Sequence, residues 1–281
     1  MGADTLHTSE KTQGGCRIPP ERFRKPTPRA AIAQHVTMRV ADSRVIAPSA
    51  AARRIAARTF IETGDLFGLL GFRVVDSHAH AVVACPRSEA GEFARRVEIA
   101  LRARLGIGCA FDPARLKPVL DQWHLENTIR YILDQERHHG ISLDPAHDGS
   151  SLPDLCRWRV VAESLAERVR TLVPRLAVTL PLSSAELQAT APVPSLLTEA
   201  AAAAFALPVL DGSSPLACIA RRAAVRVGEA ERIRRSVVAD LLRISRRRAE
   251  QIAAGPQPEP RMVYAVRAQL RFRSALATRP R

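Results

Sequence analysis

The sequence predicts an α/β (α+β) domain with helices packed on a sheet, followed by a mainly helical, basic region. Three observations carry that reading. Between residues 31 and 145, short Val- and Ala-rich runs with a period of two alternate with segments whose apolar residues recur every three or four positions. Beyond residue 216 the apolar residues keep helical spacing alone. Charge is also uneven: residues 216–281 hold 16 arginines against five acids, +11 of the net +14.

Taken in order, residues 1–30 are interrupted by Gly14, Gly15, Pro19, Pro20, Pro26 and Pro28 and read as a disordered basic segment. His35 to Val40 reads as a strand, with His35, Thr37 and Arg39 on one face. Pro48 or Ser49 opens a helix from Ala50 to Glu62, and a short helical continuation is expected over Leu66–Leu70. Phe72 to Pro86 reads as a strand, with a bulge or turn at Asp76-Ser77. On it His78 and His80 share a face, about 6–7 Å apart along the chain. Ala79 and Ala81 face the other way, small and apolar, as packing against a helix requires.

Glu89 to Leu105 is the next helix, striped by Phe93, Val97, Leu101 and Leu105. Gly106, Gly108 and Pro113 mark a loop before a strand at Leu116–Leu120. A helix is then expected from Leu125 to Gly140, with Leu125, Ile129, Ile132 and Leu133 inside and Gly140 as its stop. Asn127, Tyr131 and Gln135 fall at i, i+4 and i+8, one stripe of that helix.

Residues 146–215 read as linker and helices. His147 lies in a polar linker, Leu155–Leu172 forms a helix with Trp158 as a packing anchor, Pro174–Pro194 is a hinge, and Leu196–Leu207 is an Ala-rich helix. Within the helical stretch 216–254, Ser236 to Ile252 resembles a helix-turn-helix. Arg243-Ile244 would be the turn, and Ser245 would cap a recognition helix bearing Arg246, Arg247 and Arg248. Residues 255–281, rich in proline and arginine, read as a basic tail.

All but three of the 42 basic residues are arginine, and the sequence pI near 11.0 implies a surface suited to a polyanion. Five scattered cysteines form no close pair, as expected of reduced thiols in the cytoplasm. No apolar run is long enough for a membrane helix, and the first 30 residues lack the apolar core of an export signal.

Two histidines on one strand face, a phenol and a nearby amide are the parts of a metal-assisted attack on a phosphodiester. A different metal hydrolase, pairing the histidines with Asp76 and Asp121 or Asp134, would leave Tyr131 without a role.

His78-Ala79-His80, followed by Tyr131-Ile132-Leu133-Asp134-Gln135 on a later helix, resembles the single-tyrosine HUH transposases, named for a His-hydrophobe-His motif. Among these the pattern is most similar to the REP-associated tyrosine transposases of bacteria. The likeness runs from about Gln34 to Gly140 and includes Phe111 to Asp121, similar to a basic family segment before the tyrosine helix. It departs from the family at Asp76-Ser77, where Pro-Asn is usual, at the small Ala79, and at Gln135–Gly140, where Asn-Pro-Val-Arg-Ala-Gly is usual.

The resemblance implies a ferredoxin-like antiparallel sheet in a nucleoid-associated, cytoplasmic protein. It implies that His78, His80 and Gln135 hold Mg²⁺ or Mn²⁺. Tyr131 would attack single-stranded DNA carrying a hairpin and stay joined to the 5′ end, while Arg115 and Lys117 neutralise phosphate. A relative that kept the fold and DNA binding but lost catalysis is the rival reading. Monomer and homodimer both remain open.

Overall fold

Four strands pair into one antiparallel sheet in the computed structural model, which describes residues 30–135, 147–177, 180 and 182–279. They are β1 (Ala33–Arg39), β2 (Leu69–Val74), β3 (His78–Val83) and β4 (Arg115–Val119), in the order β2-β3-β1-β4. Helix α1 (Ala50–Gly64) joins β1 to β2, α2 (Arg87–Leu105) joins β3 to β4, and α3 (Gln122–Leu133) follows β4. This connectivity and strand order are ferredoxin-like, as expected.

In the histidine stretch the expected bulge or turn at Asp76-Ser77 is a turn, and it divides the stretch into two paired strands. The stretch is a hairpin, because the chain reverses at Asp76-Ser77 and Val75 N–H donates to His78 O at 2.9 Å. The helix expected over Leu66–Leu70 shrinks to a 3₁₀ turn, Asp65–Phe67. Gly68 ends it in the left-handed region, φ 67°, and directs the chain into β2.

Pairing fixes the faces, since directly opposed residues project to the same side. Thr37 opposes His80 and Arg115, Arg39 opposes His78, and His35 opposes Lys117, so these seven share one face. Val36, Met38, Phe72, Val74, Ala79 and Ala81 take the other, and all are buried. There Phe60 of α1 stacks on Phe72 at 5.1 Å and tilts against Phe93 of α2 at 6.3 Å. Helix α3 lies on the polar face and buries Leu125, Ile129 and Ile132.

That helix ends early. Asp134 caps it after Leu133, so Gln135 does not extend the stripe of Asn127 and Tyr131. The stop expected at Gly140 lies outside the described residues.

Among the described residues eight further α-helices follow: α4 (Leu152–Leu155), α5 (Glu163–Leu172), α6 (Ser184–Ala189), α7 (Leu197–Ala204), α8 (Pro215–Ala230), α9 (Arg235–Leu241), α10 (Arg246–Ala254) and α11 (Pro260–Thr278). The helix expected from Leu155 to Leu172 is broken. Arg157 takes φ 59°, and the turn there carries Trp158 inward onto Phe272 at 5.1 Å. Downstream of the turn, α5 joins the core of the sheet through Leu165 and Val169.

Residues 255–281 are not simply a tail. Helix α11 buries Ala265, Val266, Leu270 and Phe272 and packs on α7 and α8. Helix α7 has alanines buried all round, as a central helix should.

The polar linker at His147 is a buried ionic junction. Asp148, 4% exposed, accepts from Arg54 of α1 at 2.9 Å and from Arg273 of α11. Arg54 also donates to Glu199 of α7 at 2.5 Å, and Arg159 donates to Asp148 O at 2.8 Å. One carboxylate therefore ties the sheet to the C-terminal helices.

His147 beside it accepts Gly149 N–H on Nδ1 at 3.1 Å, which a doubly protonated ring could not do. Burial first, then Arg73, Arg53, Arg159 and Arg273, push its pKa down to about 2. The folded pKa lies below the unfolded value of 6.5, so the contribution is complete above pH 6.5 and declines as pH falls below it. His147→Gln should therefore reduce the stability lost between pH 7 and pH 5 by about 2 kcal/mol. Urea melts at both pH values measure this, and an unchanged difference refutes it.

Candidate active site

The register of β1, β3 and β4 gathers three imidazoles on the polar face. His78 and His80 rings lie 4.9 Å apart, and those of His35 and His80 lie 5.3 Å apart. His35 Nε2 is 3.1 Å from His80 Nδ1, with Thr37 Oγ1 at 3.3 Å from the same atom. Helix α3, capped by the Asp121 carboxylate accepting from His124 N–H at 2.8 Å, brings Tyr131 over this group. The phenol ring lies edge-on, 5.8 Å from His80 and 6.1 Å from His35, and Tyr131 is 41% exposed. The four rings stand on an open cleft of about 890 Å³.

Arg39, Arg115 and Lys117 also line the cleft, with His124, Asn127 and Asp112. Cations outnumber the one acid, so the cleft suits an anion. Burial, with Lys117 and His124 adding repulsion, lowers the His35 pKa from 6.5 to about 4. His35 is therefore neutral at pH 7 and its Nε2 can accept. Where His80 Nδ1 is the donor of this pair, the His80 lone pair stands on Nε2, one of the two nitrogens through which an imidazole can ligate a metal. Such a hydrogen bond to the second ring nitrogen is the usual way a ligating imidazole is oriented.

Of the site residues expected from sequence, Tyr131, His78, His80, Arg115 and Lys117 meet in this cleft. Gln135 is not brought into its lining. It is fully buried, and its amide Nε2 donates to Tyr131 O at 2.8 Å, because α3 breaks at Asp134. Among the described residues, no group of three or more His, Cys, Asp or Glu side chains is arranged to hold a metal ion. Of the acids of the hydrolase alternative, Asp121 and Asp134 sit at the two caps of α3, and Asp76 lies in the hairpin turn, its carbonyl accepting Ile46 N–H at 2.8 Å.

Arg246, Arg247 and Arg248 lie apart from the cleft lining, exposed in the first turn of α10. Ser245 caps that helix by accepting Arg248 N–H at 3.1 Å. The turn has no glycine, and Arg243 itself takes the left-handed conformation, φ 52°. Helices α8 and α9 cross tightly at Gly228, where a Cβ would stand 2.5 Å from Val238 Cγ2.

Arg73 was missed by sequence reasoning. It lies directly across from His80 on β2 and is 3% exposed, which puts a buried positive charge beside the histidines. Only the hairpin register could have revealed it. His124, seven residues before Tyr131, was legible as a neighbour on the same helix face.

No family model matches the chain, and no curated protein does. Among solved structures, the chain is similar to a REP-associated tyrosine transposase bound to a REP hairpin. Identity is 12% and the TM-score 0.38, over 58% of this chain and 94% of that one. The chemistry of the site rests on the geometry described above.

Proposed function

We propose that this protein cleaves and rejoins single-stranded, hairpin-containing DNA, with Tyr131 as the nucleophile. One observation supports this most directly: an accessible phenol over three imidazoles in a cleft lined by Arg39, Arg115 and Lys117. A phosphodiester held by those cations presents its phosphorus to Tyr131. The phenolic oxygen attacks in line and gives up its proton to solvent, which the 41% exposed Tyr131 meets at the open cleft. The bond from phosphorus to the 3′ oxygen breaks, that oxygen takes a proton from solvent and leaves as a hydroxyl, and the 5′ phosphate remains on Tyr131. A 3′ hydroxyl can reverse the exchange and join strands.

His78 and His80 are the residues that would hold a divalent ion. Imidazole suits Mn²⁺ at least as well as Mg²⁺. Bound there, the ion supplies Lewis-acid polarisation of the phosphate. His78→Ala with His80→Ala should weaken Mn²⁺ binding at least about tenfold, the effect expected for lost ligation. Calorimetric titration beside a circular dichroism melt checks both affinity and fold. Undiminished affinity in a folded double variant rules out the site.

Arg246, Arg247 and Arg248 on α10 supply a second contact, to duplex DNA, through the exposed first turn of a helix-turn-helix. A non-cleaving DNA-binding protein is the second reading, favoured by the burial of Gln135 away from the cleft.

No helix is long and apolar enough to cross a membrane among the described residues.

A further inference from the structure

Trp123 is 76% exposed, the highest value among the exposed large apolar side chains of the described residues. It stands on α3 at i, i+4 and i+8 with Asn127 and Tyr131, so the three form one stripe of the helix. Asn127 and Tyr131 line the cleft, and Trp123 continues their line about 12 Å from Tyr131 along the axis. Leu120 and Ile32, 41% and 45% exposed, add apolar surface near the start of the helix. An apolar platform therefore follows a cationic groove, the combination that holds single strands: cations take the phosphates and a flat ring takes a base.

We propose that Trp123 is a stacking platform for an unpaired base of the strand whose phosphate lies at Tyr131. The assignment rests on the reading of the cleft as a single-strand DNA site. It adds the feature that Arg115 and Lys117 cannot provide, a preference for nucleotides that carry an exposed base. A strand held at both phosphate and base cannot slide, so Trp123 sets which phosphodiester faces the phenol. Its role is positioning.

The 281-residue chain has two tryptophans, and Trp158 is buried, so fluorescence isolates the effect. Titration with an unpaired oligonucleotide should quench and shift the emission of the native protein, and Trp123→Phe should lose most of that change. By anisotropy, Trp123→Ala should bind the oligonucleotide roughly 5- to 150-fold more weakly, the range for removing one stacked base. Trp123→Phe should restore most of the affinity, whereas Trp123→Leu should not. Against an abasic strand, the native protein and the Ala variant should bind alike.

If the native protein binds the oligonucleotide and Trp123→Ala binds it equally well, the platform is refuted while the cleft reading stands. Failure of the native protein to bind any unpaired strand overturns both. If Trp123→Ala instead converts a dimer to a monomer in sedimentation, the ring belongs to a self-association surface and the proposal falls.

Discussion

Tyr131→Phe is expected to abolish covalent attachment of the protein to the 5′ side of a cleaved single strand. Loss should be at least about 10³-fold, since the variant removes the attacking oxygen, and nucleophile deletions cost that much or more. The ring would still pack over His35 and His80, and the site is 41% exposed, so stability should change by less than about 0.5 kcal/mol. DNA affinity should stay within about threefold, because the cations of the cleft are untouched. The assay incubates protein, Mn²⁺ and hairpin-bearing DNA. It looks for a protease-sensitive shifted band on a denaturing gel, with the adduct located by peptide mass spectrometry. Attachment at Tyr264, or cleavage undiminished in the Phe variant, rejects Tyr131 as nucleophile. Tight binding with no adduct on any hairpin favours the non-cleaving reading.

Asp148→Ala should be the most destabilising single change at the junction, costing about 3–5 kcal/mol. Asp148 lies between Arg54 and Arg273, and its removal leaves both guanidinium groups without the carboxylate they share. Glu199 remains, at 2.5 Å from Arg54 and 3.7 Å from Arg273, which moves the expectation to the lower half of that range. Because Asp148 joins α1 to α11, the loss should appear in the C-terminal helices as well as the sheet. Urea unfolding with hydrogen exchange measures both. A change below about 1 kcal/mol, or exchange altered on one side only, would show that the junction does not couple them.

Deletion beyond residue 215 would remove α8 to α11, including the Val266, Leu270 and Phe272 side chains buried against the rest. Substituting Arg246, Arg247 and Arg248 on the surface leaves that core intact.

By itself the sequence determined the alternation of strands and helices, the shared face of His78 and His80, and the cap at Ser245. Those features depend on residues close in the chain: side-chain periodicity within one strand, and a hydroxyl reaching a backbone N–H three positions on. The fate of Gln135 was not of that kind. Its spacing from Tyr131 matched a continuous helix, and the break at Asp134 removed it from the stripe. Only the tertiary structure brought His35 to His80, placed Arg73 across the hairpin, and turned His147-Asp148 from a linker into an ionic junction. Likewise, the arginines scattered along α11 disguised a buried helix as a basic tail. In each of these cases the partner lies far away in sequence. A strand's register and a helix's buried face are set by the surface they pack on, which local pattern does not encode.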